Sequence, residues 1–340
     1  NADGAAIVLA RGNEPYASVE EIQRRAGVSG RALDRIGIAD PYRAEADRLR
    51  ADVQKIVQDC QGETVDFMER VAGVIPALVM TYLFGLPRED YKKLVNWANA
   101  FMVSSDFTPE QRLACNEELF HYFVNKVELR NQAINNGESV PDDLMSAFIR
   151  AECDGDVLTK DEVVLFCITL VVAGAETTTY FLGNLMGVLL EDAEWFDRLK
   201  EDRTLIRPFM EECLRRDGPP QRLFRVVKQD CEINGQPFKA GDWIAFFMAA
   251  ANHDESMFPE PEKFIINRSN ISRHLTFGRG IHHCLGAPLA RVEAEIMLNT
   301  LFDSCVGLGG SLSESRRQSG GLLAYGFASL PVRLLAEGQA

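Results

Sequence analysis

The stretch Phe277-Gly278-Arg279-Gly280-Ile281-His282-His283-Cys284-Leu285-Gly286 decides the reading of this chain. Ala287-Pro288-Leu289 follows and opens an amphipathic run through Leu298 and Phe302, so Cys284 stands just before a helix start. There a thiol meets backbone N–H groups and the positive end of the helix dipole, which lower its pKa and favour thiolate, the form that binds a metal or attacks a substrate. The glycines permit backbone conformations closed to other residues, and Gly286 lets a flat group approach the helix start. Arg279, His282 and His283 add donors for nearby anions.

Residue chemistry leaves several readings of this loop open. Structural zinc could use a histidine with Cys284, but a closed zinc site needs four ligands and no second Cys or His pair stands at zinc spacing. A Cys nucleophile with a His base is possible, although adjacent residues on a tight loop seldom face each other. A lone thiolate on a Gly-rich loop suits the axial position of haem iron, which takes one protein ligand and leaves its other face open. Dinucleotide binding is disfavoured because His283 occupies the third glycine position of G-x-G-x-x-G. An inert buried cysteine in a turn is the remaining alternative.

Upstream of the loop, short β-like segments at Phe224–Val227, Glu232–Ile233, Pro237–Lys239 and Trp243–Met248 surround the hairpin signal Asn234-Gly235. The stretch Asn252–Arg273 lacks periodicity and reads as a long coil. Before Gly218-Pro219-Pro220, helical periodicity dominates from about residue 42 to 216, beginning with Leu49, Val53, Ile56, Val57 and Cys60 on one face. Pro87 is placed to open a helix containing Tyr91, Leu94, Trp97 and Phe101, and further helices are expected near 117–135 and 141–152. Thr159 and Glu162 form a capping box ahead of a mostly apolar run to about Leu190. Such a helix is roughly 45–50 Å long. Its midpoint, Ala173-Gly174-Ala175-Glu176-Thr177-Thr178-Thr179, carries a Gly, an acid and three β-branched hydroxyl residues where burial is deepest, which predicts a local distortion and a candidate site. The pattern as a whole is mainly α with a small β section.

Composition bounds the function. The chain has 340 residues, 46% hydrophobic and 25% charged, which is ordinary globular usage. Fifty acidic against 36 basic residues give −14, arguing against general affinity for nucleic acid or anionic membrane. The eight scattered cysteines read as reduced residues of a cytoplasmic protein. The apolar runs Val71–Leu86 and Val163–Ala175 are shorter than a membrane span, and no signal peptide is visible.

Cys284 and its neighbours carry a family resemblance. Phe277, Gly280, Cys284 and Gly286 fill F-x-x-G-x-x-x-C-x-G, and the loop resembles the cysteine-ligand loop of the cytochrome P450 family. Ala173-Gly174-Ala175-Glu176-Thr177-Thr178 is similar to the family's A-G-x-[D/E]-T-T, and Glu212-Cys213-Leu214-Arg215 to its E-x-x-R. The motifs occur in family order, with likeness from about residue 40 to Leu330-Pro331-Val332-Arg333.

The resemblance implies one large domain over residues 1–340, the cytochrome P450 fold, holding haem b (iron protoporphyrin IX) between the long central helix and the Cys284 loop. Cys284 is then the proximal ligand of the haem iron, its thiolate favouring O–O cleavage. Phe277 packs against it, and the Gly278–Gly280 backbone supplies N–H groups that tune it. His282 and Arg225 match propionate contacts, Ala173 and Gly174 border the haem, and Gly286 gives it room. Glu176 and Thr177 help deliver protons to the dioxygen being reduced. Glu212, Arg215 and Arg268 match a structural triad, and Val172, Leu223 and Phe224 match pocket positions. His274 reads as a structural hydrogen-bonding residue.

At the N-terminus, Val19–Arg25 supplies Arg24 and Arg25 without the His or Trp that relatives place four residues before a propionate-binding Arg. The chain is shorter than typical relatives, so the N-terminal part is expected to be incomplete.

The implied activity is that of a soluble bacterial monooxygenase that inserts one oxygen atom of O2 into a small-molecule or carrier-protein-bound substrate. Natural-product tailoring, as in antibiotic and other secondary-metabolite biosynthesis, is the implied setting. A non-catalytic haem-thiolate binding or accessory protein is the rival. No flavin or nicotinamide domain is visible, so electrons are expected from a separate ferredoxin and ferredoxin reductase, with a monomeric state. Arg268, Arg273, Arg279 and Arg291, with no acid between them in sequence, make the loop a positive island on which an acidic ferredoxin would dock.

Overall fold

Periodic apolar spacing becomes helix through the first half of the chain. The computed structural model describes residues 41–101, 107–153, 156–318 and 323–338. The Val19–Arg25 stretch lies outside these. By contacts the chain divides into two compact units, one comprising 41–48, 77–101 and 107–173 among described residues, the other 49–76 and 174–338.

The first helix, α1 (Pro41–Asp59), buries Leu49, Val53 and Val57, with Cys60 just beyond it also buried and Ile56 half-buried. It is followed by strand β1 (Thr64–Asp66) and helix α2 (Val74–Leu83). Helix α3 (Tyr91–Phe101) is separated from Pro87 by a short 3-10 turn, Arg88–Asp90. Helix α4 (Pro109–Asn135) starts about two turns before the expected point, because the Thr108–Gln111 capping box and Pro109 begin it ahead of its apolar face. Asp143 caps helix α5 (Leu144–Arg150) by accepting from Ser146 N at 2.8 Å, and its carboxylate also receives Arg130 at 2.6 Å. Strands β2 (Glu152–Cys153) and β3 (Asp156–Val157) form a small hairpin beside it in sequence.

Helix α6 (Lys160–Glu191) has 32 residues and opens on the expected capping box, Glu162 N donating to Thr159 Oγ1 at 3.3 Å and Thr159 N to Glu162 Oε2 at 2.9 Å. The distortion predicted at its midpoint is absent. The helix is continuous through Ala173–Thr179, because Thr179 Oγ1 donates to the Ala175 carbonyl at 2.9 Å and is satisfied inside the helix. As a whole, α6 is long and apolar enough to cross a membrane, unlike the shorter run considered in the sequence. Of its most apolar window 56% is buried inside the protein, as in the core helix of a globular fold.

In the second unit, Gly183 and Gly187 lie one turn apart on α6. A Cβ at Gly187 would stand 2.5 Å from the Phe327 ring, and one at Gly183 2.4 Å from Sδ of the flexible Met68 side chain, so the ring sets the stricter demand for glycine. Helices α7 (Glu194–Glu201), α8 (Ile206–Arg216), α9 (Met248–Asn252) and α10 (Ala287–Ser304) complete the helical set. Strands β4 (Arg222–Val226) and β7 (Trp243–Phe247) pair antiparallel, as do β5 (Cys231–Ile233) and β6 (Gln236–Phe238). The turn between β5 and β6 is Asn234-Gly235 with φ of 51° and 80°, the left-handed pair that this hairpin requires. Strands β8 (Gly307–Gly309), β9 (Arg316–Arg317), β10 (Phe327–Ser329) and β11 (Pro331–Leu335) follow, with β1–β11–β8 forming one sheet and β9–β10 another. Val332 and Leu334 of β11 are fully buried while Arg333 between them is exposed, the alternation of a sheet with one face on the core.

Candidate active site

Gly278 and Gly280 shape the Cys284 loop, with φ of 68° and 70°, where a side chain would be strained. Cys284 N donates to the Phe277 carbonyl at 2.8 Å and His283 Nδ1 lies 3.2 Å from the Gly278 carbonyl. The His283 ring is thus tied to the loop backbone through Nδ1, and no hydrogen bond joins Cys284 Sγ to a histidine among the described residues. Among the described residues no three His, Cys, Asp or Glu side chains gather into a metal-binding group, so Cys284 offers a single ligand.

Cys284 is solvent-accessible yet closely surrounded by protein. Burial is the largest influence on its thiol and raises its pKa above the ordinary value, outweighing hydrogen bonds from the Gly286 and Ala287 N–H groups and the charge of Arg291. This corrects the expectation of a lowered pKa: the helix start acts in the expected direction, but desolvation is larger. Coordination to a metal reverses the outcome, since a ligating thiol is deprotonated outright. The N–H groups at the sulfur also differ from expectation. Gly278 N is spent on the Leu275 carbonyl at 2.8 Å, and the donors come from the other side of the cysteine. A Cβ on Gly286 would stand 3.9 Å from Cys284 Sγ, so its absence leaves one side of the sulfur open.

On α6, Glu176 is buried, and its Oε1 accepts from Tyr180 Oη at 2.9 Å. Gln318 Nε2 donates in turn to Tyr180 Oη. Thr177 is half-buried. Accessible or half-buried positions recur at Phe166, Thr169, Leu170, Ala173, Gly174 and Thr177, a 3–4 spacing that marks an open stripe on a mostly buried helix, with Leu165 and Thr179 half-buried off it. Val172 is off this stripe and buried.

The Glu212 triad forms as the sequence implies. Arg215 donates to both Glu212 oxygens at 2.9 and 2.8 Å, and Arg268 Nε to Oε1 at 3.0 Å. His274 takes the structural role expected of it, Nε2 lying 3.1 Å from Glu211 Oε2. Glu211 also binds Arg291. The positive island is therefore smaller than the sequence suggested. Arg291 is paired with Glu211, 80 positions away, and Arg268 shares Glu212, 56 positions away, with Arg215, leaving Arg273 and Arg279 without carboxylate partners among the described residues.

A haem group needs an axial donor, apolar walls and cations for its propionates. Cys284 is accessible, and Leu223, Phe224, Phe246, Phe247 and Leu285 are large apolar side chains left exposed. Arg225 donates to the Phe224 carbonyl at 2.8 Å and has no carboxylate partner among the described residues, and His282 is exposed. The donor set fits haem.

The family comparison agrees with this donor set: residues 89–305 match the Cytochrome P450 family model. The chain belongs to the cytochrome P450 family of oxidoreductases and has its fold. Cytochrome P450 109 of Bacillus spizizenii is 32% identical over 278 residues, covering 81% of this chain and 68% of that one. Matches to several other curated relatives cover 62–65% of their lengths. CYP109E1 from Bacillus megaterium, solved in complex with testosterone, has 31% identity and a TM-score of 0.80, covering 95% of this chain and 87% of that one. LnmA, a cytochrome P450 hydroxylase from the leinamycin biosynthetic pathway of Streptomyces atroolivaceus, has 28% identity and a TM-score of 0.80, covering 93% and 79%.

Tyr180 and Gln318 escaped the sequence reading. Tyr180 stands four residues after Glu176, so an i,i+4 contact could have signalled it. Gln318 is 138 positions from Tyr180 and carries no local signal.

Proposed function

We propose that this protein is a cytoplasmic, monomeric haem-thiolate monooxygenase, with residues 1–340 serving as one catalytic domain, that inserts one oxygen atom of O2 into a small organic substrate. The observation that carries the reading is Cys284, accessible at the head of α10 in a turn shaped by left-handed glycines. When bound, haem b supplies the dioxygen activation that no side chain here provides. Cys284 would hold it through sulfur, and Arg225 and His282 would pair with its propionates. Tyr180 fixes one oxygen of Glu176 through the 2.9 Å bond, so the carboxyl is oriented before substrate arrives. Thr177 Oγ1 and Glu176 together can hold and pass a proton. Ala173, on the open stripe of α6, is a proposed substrate contact, as are the exposed Leu223 and Phe224 of β4, whereas the burial of Val172 disfavours it.

The substrate class we propose is a natural product or its carrier-protein-bound precursor, supported by likeness to LnmA, a hydroxylase from a biosynthetic pathway. The electron donor we propose is a small acidic ferredoxin with its reductase, docking at Arg273 and Arg279. If Arg279→Glu leaves reduction by an acidic ferredoxin unchanged at low salt, this docking is wrong.

The spectrum of the reduced, CO-bound protein tests the cofactor assignment: a Soret band at the position typical of His-ligated haem removes Cys284 as ligand. Thr177→Ala is expected to separate O2 consumption from product formation. Unchanged coupling counts against proton delivery and favours the non-catalytic alternative.

A further inference from the structure

Helix α8 presents two consecutive acids, and the second is absorbed by the triad. The first, Glu211, builds a separate cluster under the Cys284 loop. Arg291, on the second turn of α10, donates from Nε to Glu211 Oε1 at 2.5 Å and from Nη2 to Oε2 at 3.0 Å, a two-pronged fork. Its Nη1 donates to the Ala287 carbonyl at 3.2 Å. His274 Nε2 faces Glu211 Oε2 at 3.1 Å while Nδ1 accepts from Thr276 N at 3.4 Å, so the network assigns the ring proton to Nε2. Burial opposes charge on Glu211, yet the hydrogen bonds from His274 and Arg291 outweigh it and hold the carboxyl at about 2. The guanidinium is thereby fixed in orientation. It lies 4.5 Å from the centre of the Phe277 ring, and the Phe277 carbonyl is the acceptor for Cys284 N at 2.8 Å.

We infer that Arg291, clamped by Glu211, is a positioning residue for the thiolate ligand: it fixes the Phe277 ring and through it the turn that carries Cys284. The inference rests on the haem-thiolate reading above. It requires arginine specifically. A lysine at 291 keeps the charge but loses the two-pronged grip on Glu211 and the flat face that stacks on Phe277. A role limited to fastening α10 to α8 would instead appear only as lost stability.

The test uses holoenzyme of the parent, Arg291→Lys, Glu211→Gln, Phe277→Leu and the Arg291→Lys/Phe277→Leu pair. Three readouts are taken: the fraction of reduced, CO-bound protein with thiolate rather than neutral-thiol ligation, the haem reduction potential, and the thermal midpoint. Arg291→Lys and Glu211→Gln are expected to raise the neutral-thiol fraction about threefold, the size of one lost stacking contact. The double variant is expected to be no worse than Phe277→Leu alone, because both changes act through one ring. The inference is overturned if Arg291→Lys keeps the parental ligation ratio and potential, or if its effect adds in full to that of Phe277→Leu. It is also overturned if the neutral-thiol fraction rises only in proportion to unfolded protein. A parent without any thiolate-type band removes the haem-thiolate reading itself, an outcome distinct from a parent with the band and an unaffected lysine variant.

Discussion

Helices α8 and α10 each bury a glutamate completely, and they treat it in opposite ways. Glu212 of α8 receives Arg215 Nε and Nη2, Arg268 Nε and the Ile265 N–H, at 2.8 to 3.0 Å. Neither carboxyl oxygen of Glu293 in α10 has a hydrogen-bond partner among the described residues, and burial pushes its pKa well above the usual carboxylate range. A carboxylate survives in a protein interior only where donors converge on it; otherwise it takes up a proton. The charged bracket on α8 ties down the coil through Arg215, which donates to the carbonyls of Asn252 and Pro261 at 2.9 and 2.8 Å. The unpartnered acid on α10 ties down nothing among the described residues.

The strongest way to break this contrast is Arg215→Met, which leaves Glu212 buried without its main partner. A loss of about 3–5 kcal/mol is expected, read by denaturant unfolding. A loss under about 1 kcal/mol would mean that Arg268 and the Ile265 N–H alone satisfy the carboxylate.

Glu293→Gln comes next. Because the folded pKa of Glu293 is raised, its contribution is fully present below the unfolded value near 4.5 and fades as pH climbs toward the folded value. The fading is at most about 1.4 kcal/mol per pH unit. Stability of Glu293→Gln is therefore expected to fall less between pH 5 and pH 8, a range over which both proteins can be unfolded by urea. Parallel curves would mean that the acid is ionised in the fold.

The smallest effect belongs to Glu211, whose case is the reverse. Its carboxyl is held at about 2, so its contribution is present above the ordinary carboxylate pKa and is lost as pH falls through about 2. Glu211→Gln is expected to lose stability at neutral pH and to show a shallower acid limb between pH 4.5 and 2 in a fluorescence titration.

Much of the site was legible because its signals are local. The Thr159–Glu162 box, the Asn234-Gly235 hairpin and the glycines at 278 and 280 each reflect backbone geometry settled within a few residues, and all three form as read. The triad was legible only in part by chemistry: Glu212 and Arg215 share a helix face, but Arg268 came through the family pattern. Misreadings arose where distant groups intervene. Charge counted along the loop could not include Glu211, 80 positions from Arg291. The pKa of Cys284 depends on how much protein surrounds the sulfur, a quantity no motif contains.

The sequence by itself determined the helix-rich class, the central helix and its cap, and which cysteine stands at a helix start, since propensity, capping and glycine conformation act over one or two turns. Only the tertiary structure decided that the Glu176 carboxyl is oriented by Tyr180 with Gln318 behind it, that Glu211 grips Arg291 beneath Phe277, and that Glu293 is buried without a hydrogen-bond partner among the described residues. These outcomes depend on desolvation and on donors delivered by segments far apart in the chain, and both exist only once the chain has packed.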